Sequence, residues 1–339
     1  MIKRIAIILL ICSTALKGQD IHFSQFNDLP LNLNPALSGN MDGTFRAGTI
    51  YRNQWNSIGV PFESTALFAD FKIYPKFLNG EVIGLGVQLL NDRSGSGGLV
   101  ENVLSFTGSY HHFLNAKKDQ LLTAGISLGA FQKSIDLSKL NFENQFVYQT
   151  ANFGNISSNE NFANNSITSP DIGIGVSWTW FHSYGHQVTA GISAAHINFP
   201  NQSFYGNEDI LAPKINFHTR AIYSLNPNIE IDPSIILIRQ NGNANVIIGA
   251  DLLYKMGRKT VEKIDLKLGV YGRFGDAMSF IAGMNHNNWS INIGYDLNLS
   301  SLAPASGTKG AFEISISYVN RMYKGIKHKK YLVPATRLL

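Results

Sequence analysis

Residues 170–181 read Pro-Asp-Ile-Gly-Ile-Gly-Val-Ser-Trp-Thr-Trp-Phe. Ile172, Ile174, Val176, Trp178 and Trp180 share one parity; Asp171, Gly173, Gly175, Ser177 and Thr179 share the other. Side chains of a strand point alternately to opposite faces, so the stretch predicts a strand with one apolar and one polar face. The pattern returns at 289–300, where Trp289, Ile291, Ile293, Tyr295, Leu297 and Leu299 alternate with Ser290, Asn292, Gly294, Asp296, Asn298 and Ser300. Phe312, Ile314, Ile316 and Tyr318 alternate with Glu313, Ser315 and Ser317 in the same way. No comparable segment has the 3.6-residue period of a helix.

Outward from these stretches, about fourteen such segments can be marked: 44–52, 64–74, 81–91, 100–113, 120–133, 170–181, 186–196, 213–225, 229–239, 244–255, 263–273, 276–286, 288–299 and 311–319. Their lengths cluster near the roughly 9–11 residues that a tilted strand needs to cross a bilayer. An even number suits a closed bacterial barrel. A soluble β-sandwich would also alternate, so three further features decide. Mid-strand charges such as Asp70, Lys72, Lys214, Arg220, Glu230, Asp232, Asp265 and Lys267 all fall on the polar parity. Aromatics gather near strand ends, at Tyr51, Trp55, Tyr74, Tyr110, Phe113, Trp178, Trp180, Phe181, Tyr223 and Tyr254, as interfacial girdles do. Long connections (53–63, 92–99, 134–169, 197–212, 300–310) alternate with short ones (75–80, 114–119, 182–185, 226–228), as outer loops alternate with periplasmic turns. The expectation is an all-β transmembrane antiparallel barrel of about fourteen strands in the outer membrane, spanning 44–319, with both termini periplasmic and the long loops extracellular.

Composition agrees. Of 339 residues, 15% are charged and 44% hydrophobic, against about 25% charged in a typical soluble protein. That is too apolar for disorder, and only the N-terminus has an apolar run approaching the length of a membrane helix. The formal charge of +5 comes from the ends. Residues 1–18 carry three bases and 321–339 carry six, with no acid in either; nine from 28 leaves 19 against 23 acids, so the body is about −4. Nucleic acid is therefore not an expected partner.

Lys3 and Arg4, the apolar run Ile5 to Cys12, and a cleavage zone at Ala15 to Gly18 read as a signal peptide, residues 1–18. A lipoprotein signal on Cys12 is disfavoured because Ile11 stands where a small residue is needed. Cys12 is the single cysteine, so disulfides and thiol chemistry drop out of the mature chain. Residues 19–43 are too rich in Pro and Asn for a regular element, yet carry Phe23, Phe26, Leu29, Leu31, Leu33 and Leu37. They should pack against something: a periplasmic partner or, preferably, the barrel lumen as a partial plug. The segment 134–169 is the largest loop, either simply solvated or a contact surface for an extracellular partner. The basic tail 320–339, with Lys327, Lys329 and Lys330, reads as a disordered periplasmic end, or as a clamp for an acidic partner or anionic head groups.

Catalytic motifs fail on context. Gly125-Ile126-Ser127-Leu128-Gly129 matches G-x-S-x-G but lies within an alternating strand, not at a strand–turn–helix elbow. Gly173-Ile174-Gly175 lacks the third glycine and following helix of a phosphate loop, and Asp92 to Gly98 is a flexible turn. His111 and His112 are adjacent in a strand and face opposite ways; His182 and His186 could meet across a turn but lack a third ligand. No enzyme, cofactor or metal is expected.

A resemblance then becomes visible. His22-Phe23-Ser24-Gln25-Phe26, Leu33-Asn34-Pro35-Ala36-Leu37-Ser38-Gly39, Tyr51-Arg52-Asn53-Gln54-Trp55 with Ile58-Gly59, Asn91-Asp92-Arg93-Ser94-Gly95, and the stretch from Gly294-Tyr295-Asp296 to Glu313–Tyr318 closely resemble the PorP/SprF family. The resemblance covers nearly all of the mature chain, in order. It implies a non-enzymatic outer-membrane barrel of the type IX secretion system of Bacteroidota, often linked to gliding motility. It also implies partners: a large secreted surface protein with a type B C-terminal signal, such as an adhesin, and periplasmic ring, motor or lipoprotein components. Some relatives carry a peptidoglycan-binding C-terminal domain; this chain ends in its basic tail instead.

The candidate interaction residues, for partner or plug, are Phe23, Phe26, Asn34, Pro35, Arg52, Asn53, Gln54, Trp55, Asp92, Arg93, Lys327, Lys329 and Lys330. Arg52 to Trp55 are expected to leave the first strand for the first outer loop, with Arg52 on the lumen parity beside Arg46; Asp92 and Arg93 are expected to begin the second. For both groups the plainer reading is an arginine–carboxylate pair inside the barrel. A passive porin-like channel is the main rival function, and an outer-membrane hydrolase a weaker one.

Overall fold

The computed structural model describes residues 20–320, apart from 58, 79, 96, 148–149, 151, 155–159, 161, 183–184 and 257–263. The expected signal peptide 1–18 and the tail with Lys327, Lys329 and Lys330 lie outside the described residues.

Fourteen antiparallel strands close into one barrel. They are β1 (Phe45–Gln54), β2 (Phe62–Ile73), β3 (Val82–Ser94), β4 (Leu99–Phe113), β5 (Gln120–Ser134), β6 (Ser166–Phe181), β7 (Gln187–Ala195), β8 (Lys214–Asn226), β9 (Ile229–Gln240), β10 (Asn243–Met256), β11 (Ile264–Arg273), β12 (Ala277–His286), β13 (Trp289–Asn298) and β14 (Lys309–Asn320). Each pairs with its sequence neighbours, and β1 pairs with β14 from Phe45↔Asn320 to Gln54↔Ala311, so no edge is left open. A small hairpin, Phe146–Val147 with Asn152–Phe153, sits in the longest loop.

The wall is apolar outside and polar inside. On β13, Ser290, Asn292, Asp296 and Asn298 are buried while Trp289, Ile291, Ile293, Tyr295 and Leu297 are exposed. The same alternation exposes Ile174, Val176 and Trp180 and buries Ser177 and Thr179 on β6. A soluble sandwich would bury the apolar parity; only a hydrocarbon solvent makes the observed arrangement favourable. At the short-turn end, Tyr74, Tyr110, Trp180, Tyr223, Tyr254 and Trp289 face outward as a girdle. Phe181 departs from the expected girdle and is buried, because it shares the inward parity of Thr179.

Two expectations about loops are corrected. Asn53 and Gln54 still belong to β1, and Asp92 and Arg93 to β3. The strands run on because their ladders continue, through Asn53↔Glu63, Ser64↔Asp92 and Glu63↔Arg93. The connection between β3 and β4 is therefore a tight turn at 95–98 rather than a long loop. The remaining length contrast comes mainly from 135–165, 196–213 and 299–308, which share one end of the barrel.

Candidate functional site

Residues 20–43 run through the lumen. Their prolines and asparagines produce three short turns, Phe26–Asp28, Pro30–Leu33 and Pro35–Leu37, rather than a strand or long helix. Pro30 and Pro35 start their turns, where a missing N–H costs nothing. The apolar side chains pack in two directions. Phe23, Leu29 and Leu31 meet Ile50, Ala66, Phe68 and Leu90 on β1 to β3. Phe26, Leu33 and Leu37 meet Ile236, Ile247, Tyr271 and Ile281 on β9 to β12, with the Phe26 and Tyr271 rings edge to face at 5.8 Å.

Between these clusters the segment is held by polar contacts. Asn34 is fully buried. Its Oδ1 accepts from Ala36 N at 2.9 Å, capping the last turn. Its Nδ2 lies 3.1 Å from the Val176 carbonyl, 3.2 Å from the Ile192 carbonyl and 3.1 Å from His218 Nε2. Ser24 N and Gln25 N both donate to the Glu313 carboxylate, at 2.8 and 3.0 Å. Asp28 accepts from Ser315 Oγ at 2.6 Å and from Asn292 Nδ2 at 2.9 Å.

The wall is shaped to admit this segment. A Cβ on Gly125 would stand 2.4 Å from Ala36 N, and one on Gly175 would stand 2.0 Å from Asn34 Oδ1. The apparent G-x-S-x-G and G-x-G motifs are thus places where the lumen segment's backbone and a strand approach too closely for any side chain. Pro35, a candidate from the sequence, lies at this contact, its carbonyl 2.6 Å from the same Gly125 Cβ position.

Arg52 is the most heavily bonded candidate. It ion-pairs with Glu313, and at 3.0 Å with Asp296, and donates to Ser24 Oγ at 3.2 Å and Gln54 Oε1 at 3.3 Å. Arg46 grips Asp70 through two bonds, 2.9 and 2.8 Å, and Asp70 accepts from Gly39 N at 2.7 Å. An arginine–carboxylate pair inside the barrel therefore exists for Arg52. It does not form between Asp92 and Arg93, which as chain neighbours point to opposite faces: Asp92 accepts from Ser64 and Ser94, and Arg93 is exposed. Asn53 also points outward, donating to Tyr51 and Glu63 near 3.3–3.4 Å. Trp55 packs edge to face on Phe62 at 5.1 Å, just past the end of β1. Sequence reasoning missed Glu313, Asp296, Asp70 and Ser24 as the partners that complete these contacts; their place on the lumen parity was the available signal.

At the long-loop end Asp20 joins a compact charged group. Its carboxylate lies 2.7 Å from His196 Nε2 and 2.9 Å from Lys214 Nζ, and accepts from Gln240 Nε2 at 2.9 Å. His196 Nδ1 faces Asp171 at 2.8 Å. Burial alone would lower the pKa of His196, but hydrogen bonds to Asp171 and Asp20 overcome it and raise it to about 9. Burial would raise that of Asp20, but Lys214 and His196 hold it well below the usual carboxylate range. Among the described residues no group of three His, Cys, Asp or Glu side chains could hold a metal ion. The rings of His182 and His186 stack at 6.3 Å.

A family model described as "Type IX secretion system membrane protein PorP/SprF" matches residues 15–318. The chain belongs to the PorP/SprF family. Among solved structures, this PorP/SprF barrel is similar to the toluene transporter TbuX of Ralstonia pickettii. The two share 11% identity over 86% of this chain and 93% of that one, with a TM-score of 0.52. It is also similar to the toluene transporter TodX of Pseudomonas putida, at 13% identity over 85% and 92% of the two chains, with a TM-score of 0.50. At these identities the likeness shows the fold alone. No curated protein matches the chain. The PorP/SprF match and the barrel fold together make this an outer-membrane-type barrel component of type IX secretion.

Proposed function

We propose that this barrel is a non-enzymatic carrier: it anchors, presents or helps export one large surface protein with a type B C-terminal signal, in a system linked to gliding motility. The long loops face outward, and the short turns and basic tail face the periplasmic ring and motor components. The observation that carries this reading is the filled lumen. A passive pore needs an open path, whereas residues 20–43 contribute two apolar clusters and a continuous set of hydrogen bonds to the wall. A gap beside them, lined by Asp20, Leu31, Gln88 and Lys214, is about 80 Å³, room for only a few waters.

The long loops supply the chemistry of a protein contact. Phe162 lies 6.2 Å from Phe142 and stacks on Tyr205 at 4.7 Å, and Phe153, Phe199 and Tyr205 are exposed. Aromatic side chains of this kind dominate protein interfaces.

A gentle detergent pull-down of the tagged protein from its own cells, read by mass spectrometry, tests the reading. Recovery of a very large secreted protein with a type B signal supports a dedicated carrier. Recovery of ring or motor proteins alone points to a general machine subunit. A barrel that emerges alone and conducts ions in a planar bilayer sinks both.

A further inference from the structure

The lumen segment has a direction. Asp20 contacts His196, Lys214 and Gln240, which stand where β7, β8 and β9 meet the long loop 196–213 and the turn 241–242. Further along, Ser24 and Gln25 meet Glu313, and Asn34 meets the β6–β7 carbonyls. Near the other end Ser38 O accepts from Ser109, and Met41 O accepts from Lys72. Thr44 N reaches Asn320 O at 2.9 Å, beside the short turns. Residues 20 and 320 therefore lie at opposite ends of the barrel. The 23 residues from 20 to 42 could span roughly 75 Å when extended, against ~30 Å of hydrocarbon. That slack accommodates the three turns.

We infer that the start of the mature chain is displayed at the outer face of the barrel, beside the long loops, because the chain threads the lumen from the Asp20–His196–Lys214 cluster down to β1. The inference rests on the proposed orientation with long loops outside. It enlarges the surface that a secreted protein meets: the N-terminal residues join loops 135–165 and 196–213.

Single cysteines test this cleanly, since Cys12 is the only cysteine and lies in the expected signal peptide. A cysteine is inserted immediately before Asp20, and Asn207→Cys in a long loop and Asn287→Cys in a short turn serve as references. Intact cells are treated with a membrane-impermeant maleimide and compared with lysed cells. The inserted cysteine and Asn207→Cys should label as fully in intact cells as after lysis, and Asn287→Cys only after lysis. An inserted cysteine that follows Asn287→Cys instead of Asn207→Cys overturns the threading. If the inserted cysteine follows Asn207→Cys but both are silent in intact cells, the threading stands; the outer-face assignment and the orientation beneath it both fall. Should the insertion disturb folding, zero-length carbodiimide cross-linking of the unaltered protein in membranes gives a second readout. An Asp20–Lys214 amide is expected; an amide from Asp20 to Lys72 or Lys255 overturns the threading.

Discussion

At the long-loop end the two halves of the barrel finish differently. Strands β2 to β6 are 12 to 16 residues long, whereas β11 to β13 have 10 each. On the tall half, Thr65, Asn91, Asn102, Gln132 and Thr168 stand opposite one another in successive strand pairs and all face outward. Glu63 and Arg93 extend this polar belt by one more row. On the low half, Met278 and Leu297 stay exposed opposite each other close to the turn at 274–276, and Phe274 in that turn is itself exposed. The bilayer dictates the apolar band and nothing above it. The low half stops where the hydrocarbon stops; the tall half continues as a polar crown under the long loops, free to be shaped by whatever binds there.

The strongest test of this comparison is the tie between the halves. Arg52 on β1 bonds Glu313 on β14 and Asp296 on β13. Arg52→Ala leaves buried Glu313 without a cationic partner and Asp296 with Arg273 alone, and should cost about 3–5 kcal/mol. Urea unfolding of the folded band on unheated gels would report it, and an unchanged midpoint would break the picture of one continuous lumen network. Next come lysines placed outside. Leu268→Lys, in the apolar band of β11 and exposed, should cost ~2–4 kcal/mol, whereas Asn102→Lys on the tall half should cost ~0–1 kcal/mol. Equal costs at the two sites would mean that the polar belt is immersed in lipid.

A smaller effect is expected for the seat of the lumen segment. Asn34→Ala removes a cap and strands the buried polar groups around it, a loss of about 1–3 kcal/mol. Gly175→Val forces Asn34 aside outright, so its single-channel conductance should rise above that of the unaltered barrel; a silent Gly175→Val barrel would argue against a displaceable plug. The smallest effect is the pH response of the Asp20 cluster. His196 has a raised pKa, so its contribution is complete below its unfolded value near 6.5 and lost as pH climbs through about 9. Asp20 has a lowered pKa, so its contribution is present above about 3.8 and lost as pH falls through its lower folded value. With the intrinsic base-catalysed rate divided out, protection of the Asp20 amide, which donates to Gln240 Oε1 at 2.8 Å, should fall above about pH 9, and His196→Asn should remove that step.

The strands were legible because the solvent on each side of the wall is different, which imposes a period-2 pattern that local sequence records in full. Each marked segment of alternating residues became a barrel strand. The lumen segment was legible only as a contradiction, since Phe23, Phe26 and Leu29 are too apolar for a free tail. Its partners were not legible, because Ser24 and Glu313 are 289 positions apart and serine–carboxylate pairing has no periodic trace. Asp92 and Arg93 were misplaced for a different reason. Polar residues ended the apolar alternation there, but the backbone ladder continued above the membrane, where side-chain polarity no longer reports strand ends.

The β1–β14 seam has one last consequence. Arg52 and Glu313 are direct partners across it, and the same Glu313 carboxylate receives the backbone of Ser24 and Gln25. A chain lacking its final strand would lose the seam and one anchor of its lumen segment together. The position of one carboxylate thus couples closing of the sheet to seating of the segment inside it.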